Sequence, residues 1–186
     1  MGKLDGLGGE KVFYFFEEIC KIPHGSENEM ALSNYIVAFA KERGLYCRQD
    51  EHYNVLIKKS GSKGYEGVAP IILQGHIDMV CEKNAGTELN FLTDPIEIYA
   101  KDDFIHANGT TLGADDGIAV AYMLALLDDD TLAHPPIEAI FTVEEEIGMG
   151  GARTFETFDV EGKRFINMDT EEEGVLLSGC AGGRRV

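Results

Sequence analysis

The stretch IEAIFTVEEEIGMG, residues 137–150, joins a short apolar run to three consecutive glutamates and a Gly-rich segment. Residues 137–141 predict a short buried strand, since they are apolar apart from Glu138. Three neighbouring carboxylates repel one another, and the end of a buried strand is a costly place for them. The glutamates therefore either point into water or face a positive charge.

Outward from this strand, helical and strand patterns alternate along the chain. Residues 10–20 carry apolar side chains at helical spacing, which predicts a first helix. Residues 115–127 predict a later helix, with Ile118, Tyr122 and Leu126 among the side chains that point inward. The alternation of helices with strands is typical of an α/β protein.

A further helix is predicted between Ser26 and Gly44. Ser26 and Glu29 match an S-x-x-E capping box, and Gly44 stands where a helix C-terminal cap is expected. The remaining apolar runs predict strands at residues 45–49, 54–58, 68–74, 96–100, 164–169 and 175–179, with a hairpin at the GSKG turn of residues 61–64. Together these elements predict an α/β sandwich with a mixed sheet.

The composition is that of a globular protein with a large excess of acidic residues. The 186 residues are 44% hydrophobic and 26% charged, which suits one domain with a full core. They include 16 Lys and Arg against 33 Asp and Glu, a net charge of −17. Nucleic acid and anionic membrane are excluded as partners, because both need clustered cations. Most carboxylates are expected to be solvated on the surface.

The cysteines and the N-terminal residues favour a cytoplasmic location. The apolar run at residues 12–16 is too short for a signal peptide or a membrane span. The cysteines form neither a zinc-ribbon spacing nor a dense disulfide framework, so free thiols in a reducing compartment are the simplest interpretation. They are Cys20, Cys47, Cys81 and Cys180.

Acidic residues and one histidine follow several predicted strands. His76 and Asp78 come just after the apolar run of residues 69–73 and share one face of an extended segment. Asp169 ends another strand, and Asp115 stands at the start of a helix. Because functional groups collect beyond the carboxyl ends of strands in open α/β sheets, these side chains and the glutamates are expected to meet.

Each of these features also has a simpler interpretation. A His-x-Asp pair is more often a surface or capping pair, and Asp115 could be a helix N-cap. Asp169 could open a turn, and the glutamates could be solvated. The combination of four segments at strand and helix ends favours a common site.

A metal site explains the four segments together. Carboxylates held about 4 Å apart repel by a few kcal/mol per pair at an effective dielectric near 20. Two divalent cations bridged by one carboxylate would balance three carboxylates and one hydroxide. Histidine with oxygen ligands suits Zn²⁺, with Co²⁺ or Mn²⁺ as possible substitutes. On a strand, adjacent glutamates face opposite ways, so one could bind the metal while its neighbour addresses the water.

Four segments of the sequence resemble the M20 metallopeptidases. They are GHIDMV (residues 75–80), TTLGADDGIAVAYMLALL (110–127), FTVEEEIGMGGA (141–152) and NMDTEEEGVLLSGCAGG (167–183). The resemblance covers essentially the whole chain, and it is closest to the branch of cytosolic aminoacyl-histidine (Xaa-His) dipeptidases, also called peptidase D. It implies a zinc-peptidase-like fold and the hydrolysis of small peptides.

The resemblance also implies roles for individual residues. His76, Asp115 and Asp169 would hold one Zn²⁺, and Asp115 would bridge to a second Zn²⁺ held by Glu146. Glu145 would be the general base, which takes a proton from water and passes it to the leaving amine.

The same resemblance gives supporting roles to two further residues and a conformation to one peptide bond. Asp78 would contact the far nitrogen of the His76 imidazole and so orient the ring. Glu144 would be structural or solvated. The peptide bond between Asp115 and Asp116 is expected to be cis.

Members of this family are longer than the present chain. The resemblance implies that a lid or dimerisation domain follows the segment SGCAGGRR, and that a later histidine completes the second metal position. No histidine follows Asp169 here. We therefore expect residues 1–186 to be the N-terminal part of the catalytic domain, incomplete at its C-terminus and inactive alone. The full-length protein is expected to be a homodimer.

Three functional hypotheses remain open at this point. The first is a dinuclear dipeptidase, with an M20 aminoacylase or tripeptidase of different substrate as its variant. The second is a metal-binding fragment without turnover. The third is an acidic α/β protein whose strand-end carboxylates are solvated. Zinc content separates the third from the others, and Xaa-His hydrolysis separates the first from the second.

Overall fold

A five-stranded mixed sheet organises the structure, a computed structural model that describes residues 3–4, 6–170 and 174–179. The helices are α1 (Glu10–Cys20), α2 (Met30–Glu42), α3 (Ala114–Asp128) and α4 (Gly150–Thr154). The strands are β1 (Tyr46–Gln49), β2 (Val55–Lys59), β3 (Ile71–His76), β4 (Ile98–Lys101), β5 (Phe104–Ala107), β6 (Ile137–Thr142) and β7 (Arg164–Asn167).

The sheet has the strand order β1-β2-β6-β3-β7, and β4 and β5 form a separate hairpin. Strand β2 pairs antiparallel with β1 and β6, whereas β3 pairs parallel with β6 and β7. The predicted α/β sandwich with a mixed sheet flanked by helices is confirmed. Strand β6 is buried along its whole length, as its apolar sequence predicts.

The two faces of the sheet pack against different partners. Side chains alternate between the faces along each strand, so β2, β3 and β6 each contribute to both. Toward helices α1, α2 and α3, the strands contribute Val55, Ile57, Leu73, Ala139 and Phe141 to the main core. On the other face, Leu56, Ile72 and Ile140 form a smaller cluster with Phe155 and Val160.

Glu138, the polar residue inside β6, is buried with partners for its charge. Its carboxylate accepts the amide hydrogens of Glu161, at 3.0 Å, and Gly162, at 2.8 Å. Lys58 Nζ lies 3.0 Å from the same carboxylate. A buried carboxylate is tolerated when it is paired in this way, because its lost hydration is replaced.

The hairpin predicted at residues 61–64 is wrong. Strand β6 lies between β2 and β3, so the GSKG segment links two strands that are not neighbours. The hairpin of this region joins β1 and β2 instead. Its turn is held by Asp50, whose Oδ1 accepts the amide hydrogens of His52 and Asn54, both at 2.9 Å.

The capping box at Ser26 and Glu29 is also wrong. Helix α2 begins at Met30, and among the described residues no side chain caps its first turn. The hydroxyl of Ser26 donates to Asp78 instead, over 2.8 Å. The C-terminal prediction is confirmed, since Gly44 follows the helix with φ of 64°.

The inward face predicted for α3 is rotated. Tyr122 is 51% exposed, and Ile118 and Leu126 are only partly buried. The helix is apolar on nearly all sides, so its sequence does not show which side faces the sheet. Its most buried large side chains are Val120, Met123, Leu124 and Leu127.

Three further elements differ from the sequence predictions. Strand β5 and helix α4 were not predicted, and β5 follows a turn at Asp102 and Asp103, both with positive φ. Residues 174–179, where a strand was predicted, are described and carry none.

Within the described part of the chain, no helix is both long and apolar enough to cross a membrane.

Candidate metal centre

The candidate site lies at the carboxyl ends of two neighbouring parallel strands. His76, the last residue of β3, is paired with Thr142, the last residue of β6. Because the strands are parallel, the segments that leave them run side by side, and the Ile77 amide donates to the Thr142 carbonyl over 2.8 Å. The strand order therefore brings the segment after His76 next to the glutamate run.

Three of the four residues expected as metal ligands come together at this edge. His76 Nε2 lies 3.0 Å from Asp115 Oδ1. Potential ligand atoms of His76, Asp115 and Glu146 all lie within 4.8 Å of one another. The His76 side chain is buried and that of Asp115 is 73% exposed, so the group opens to solvent beside Asp115. One imidazole and two carboxylates at this separation form a donor set that suits a divalent metal ion.

The two aspartates at the start of α3 contact different parts of His76. Asp115 faces the imidazole, while Asp116 Oδ2 accepts the His76 amide hydrogen at 3.2 Å. The backbone is non-helical at Asp115, with φ of −85° and ψ of 109°, and at Asp116, so regular helical geometry begins only after the two aspartates. The peptide bond between Asp115 and Asp116 is cis, as expected.

Asp78 is a buried carboxylate that contacts both sides of the site. Its Oδ1 lies 3.3 Å from His76 Nδ1, and the Asp78 carbonyl lies 3.0 Å from the same nitrogen. The carboxylate also accepts the amide hydrogens of Glu145, at 2.9 Å, and Glu146, at 3.2 Å. Burial raises the pKa of Asp78, but the hydrogen bonds from His76, the Glu145 amide and the Ser26 hydroxyl outweigh it and hold the pKa below its usual range.

The glutamates lie in a turn and not on the strand. Strand β6 ends at Thr142, and Glu144 has a positive φ of 54°. The interpretation of Glu145 and Glu146 as strand neighbours that face opposite ways is therefore wrong. Both donate their backbone amides to Asp78, so the turn is anchored through its main chain and the carboxylates are free to serve the site.

Asp169 lies two residues beyond β7, outside the three-residue group. Its side chain is exposed, and its negative charge raises the pKa values of Glu145 and Asp116 after the larger effect of burial. A cavity of about 390 Å³ is lined by both Asp169 and Glu145. Asp169, the fourth expected ligand, therefore borders the same cavity as Glu145, the expected general base.

The electrostatics of the group indicate a shortage of positive charge. Burial lowers the pKa of His76, but the hydrogen bond to Asp78 and the charge of Asp116 outweigh it and raise the pKa to about 10. Burial raises the pKa values of Glu145 and Glu146, and neighbouring carboxylates raise them further. A bound divalent cation would relieve this repulsion, so the residues present fit a metal ion.

A family model described as peptidase family M20/M25/M40 matches residues 72–180, which include every predicted site residue. The chain belongs to this peptidase family. The M20 motifs on which the sequence resemblance rests lie largely within the matched range.

Two relatives are 43% identical to this M20 chain over the aligned residues. One is the cytosol non-specific dipeptidase of Escherichia coli, matched over 183 residues, 98% of the chain and 38% of that protein. The other is the crystal structure of aminoacylhistidine dipeptidase from Vibrio alginolyticus, with a TM-score of 0.90 over 93% of the chain and 35% of that structure. The chain thus spans less than two fifths of either relative.

A tripeptidase from Staphylococcus aureus has the same fold at 23% identity. The TM-score is 0.73, and the match covers 88% of the chain and 44% of that structure. At this identity the likeness concerns the fold alone.

Three residues around the candidate site were given no role there by the sequence analysis. Asp116 is buried, and this burial is the main reason that its pKa rises to about 7. Ser26 and Glu29 were assigned to a helix cap, yet they contact Asp78 and the Glu144 amide. The pair of adjacent aspartates was the one local signal for Asp116.

Proposed function

We propose that this chain carries the metal centre of a dipeptidase that hydrolyses small peptides. The observation that carries the proposal is the convergence of His76, Asp115 and Glu146 within 4.8 Å, with Glu145 beside them. Membership of the M20 peptidases and the 43% identity to two dipeptidases support it.

His76, Asp115, Glu146 and Asp169 would hold the metal, with Zn²⁺ as the proposed ion and two ions in a complete site. When bound, such ions supply a water of lowered pKa and polarise the scissile carbonyl. Asp115 is suited to contact both ions, because its carboxylate is exposed next to His76 Nε2.

Glu145 is the proposed general base. Its backbone amide is fixed on Asp78, and its carboxylate lies beside the ligand group without belonging to it. Burial raises its pKa toward the pH at which it would work, which favours proton transfer in both directions. Its carboxylate would accept a proton from water and release it to the nitrogen of the leaving amine.

Asp78 is proposed to orient the His76 ring. Because Asp78 contacts Nδ1, the Nε2 atom faces Asp115 and would be available to hold a metal ion. The carboxylate thereby fixes both the tautomer and the angle of the imidazole.

The proposed substrates are dipeptides, with Xaa-His dipeptides as the preferred class, and the proposed location is the cytoplasm. The Xaa-His preference follows the name of the Vibrio relative, aminoacylhistidine dipeptidase. The cytoplasmic location follows the name of the Escherichia coli relative, cytosol non-specific dipeptidase. Because the Escherichia coli relative is called non-specific, hydrolysis of β-alanyl-histidine should be compared with that of a dipeptide without histidine.

The two adjacent glutamates provide the test. Glu145→Gln should leave Zn²⁺ affinity of the chain within about 3-fold of wild type, whereas Glu146→Gln should lower it by at least about 10-fold. At the aligned positions of the Escherichia coli relative, the first substitution should lower kcat by about 10²–10⁴-fold with zinc still bound.

Calorimetric titration with Zn²⁺ and release of histidine from β-alanyl-histidine are the two measurements. Loss of zinc in Glu145→Gln with retention in Glu146→Gln would reverse the assignment of base and ligand. Equal binding by wild type and both variants would show that the three-residue group is not a metal site.

A further inference from the structure

The loop of residues 24–29, which precedes α2, packs directly against the segment that follows β3. Gly25 and Met79 form an isolated parallel bridge, and the Met79 amide donates to the His24 carbonyl over 3.2 Å. The approach at Gly25 is close, since a Cβ atom there would lie 2.4 Å from the sulfur of Cys81. The loop is therefore fixed against the back of the metal centre.

Ser26 supplies the donor to Asp78 that comes from outside the strand-end segments. Its Oγ donates to Asp78 Oδ2 over 2.8 Å, and the Glu146 amide donates to the same oxygen. Asp78 Oδ1 is shared by His76 Nδ1 and the Glu145 amide. A carboxylate with donors on both oxygens has little freedom to rotate, so Ser26 limits the movement of the group that links His76 to the glutamate turn.

Glu29 holds the other end of the same turn. Its Oε1 accepts the Glu144 amide hydrogen at 3.2 Å and the Glu27 amide hydrogen at 3.0 Å. The side chain is buried, and burial raises its pKa. Glu144 has a positive φ, so its conformation depends on contacts of this kind.

We infer that Ser26 and Glu29 are positioning residues, which hold His76 and Glu146 at metal-binding distance through Asp78 and the turn of residues 144–146. The inference rests on the proposed function, since it concerns the same metal centre. Neither side chain belongs to the ligand group, and both act through residues that touch it. The S-x-x-E motif thus serves the site and not the helix that follows it.

Substitutions that remove or keep the hydrogen-bonding atom test this inference. Ser26→Ala and Glu29→Ala should each lower Co²⁺ affinity by about 10-fold and change the visible spectrum of the bound Co²⁺. Ser26→Thr and Glu29→Gln keep a donor and an acceptor, so they should restore most of the affinity. Ser33→Ala is the matched control, because this buried hydroxyl donates to the Tyr53 carbonyl, away from Asp78.

Amide hydrogen exchange in the metal-free chain gives a second readout. Removal of the Ser26 hydroxyl should speed exchange at Glu145 and Glu146 by about 5-fold, and Glu29→Ala should do the same at Glu144. The Ser33→Ala control should leave these amides unchanged.

The outcomes separate this inference from the proposed function. Failure of the wild-type chain to bind Co²⁺ would overturn the metal centre, while the exchange data would still decide whether Ser26 and Glu29 position the turn. Unchanged exchange in both alanine variants would overturn the positioning role, whatever the metal affinity. Equal losses of affinity in the Ser33→Ala control would also overturn it, because they would reflect general destabilisation.

Discussion

Gly75 is the position where a single methyl group should disturb both the fold and the site. It lies in β3 directly before His76, and a Cβ atom there would stand 2.6 Å from Asp116 Oδ2 and 3.1 Å from the Cβ of Ala119. Its φ is outside the positive range, so alanine meets no backbone strain. The effect of Gly75→Ala is therefore one of space between β3 and α3.

The magnitude follows from three contributions. Forcing a methyl group into this contact costs about 1–3 kcal/mol, and displacing Asp116 from the His76 amide costs about 1 kcal/mol. Replacing glycine stabilises by about 0.5–1 kcal/mol through the unfolded chain. We expect Gly75→Ala to lower the free energy of unfolding by about 2 kcal/mol in total, a fall in Tm of about 4–8 °C.

Urea unfolding followed by circular dichroism measures this difference, with Gly67→Ala as the matched control. Gly67 has non-positive φ, and none of the described atoms lies within 4 Å of its ideal Cβ. The Gly67 variant should match wild type to about 0.5 kcal/mol. If the two variants unfold at the same urea concentration, the close contact between Gly75 and Asp116 does not constrain the protein.

Three other consequences can be measured on the same chain. Lys59→Met should lower the free energy of unfolding by about 1–3 kcal/mol, because the buried ammonium donates to the carbonyls of Leu127 and Asp129 at the end of α3. An unchanged urea midpoint would contradict this expectation. Cys81 should react with a thiol reagent before Cys20, because Cys81 is exposed whereas Cys20 is buried. Burial also raises the pKa of Cys20 to about 12. Equal reaction rates would contradict the burial of Cys20. With Zn²⁺, the chain alone should hydrolyse β-alanyl-histidine at least about 100-fold more slowly than the longer Escherichia coli relative, because the ligand group of the chain is open to solvent. Comparable rates of hydrolysis would contradict this expectation.

Local patterns in the sequence were enough for most of the elements and for the gathering of acidic residues and one histidine at strand ends, whereas the choice of ligands among them came from the family resemblance. Strands such as β6 follow from apolar runs, because a strand buried on both faces excludes polar side chains without partners. His76 and the glutamates were recognisable as unusual because they interrupt or end such runs. These are signals that short stretches of sequence carry by themselves.

Strand order and helix orientation depended on packing between distant segments. The insertion of β6 between β2 and β3 leaves no trace in the residues of the GSKG turn, which predicted a hairpin. The orientation of α3 could not be predicted, because its sequence is apolar on nearly every side and only contact with α1 and β3 selects the buried face.

Within the candidate site, short sequence patterns show where carboxylates and an imidazole gather, and packing between distant segments sets how these side chains are held. Ser26 and Glu29 match a helix cap in every local respect, yet their partners are Asp78 and the Glu144 amide. The physical reason is that a buried carboxylate needs donors wherever the fold supplies them, and those donors come from segments far away along the chain. Asp78 finds them in the loop before α2 and in the turn after β6, an arrangement that exists only once the parallel strands have been placed side by side.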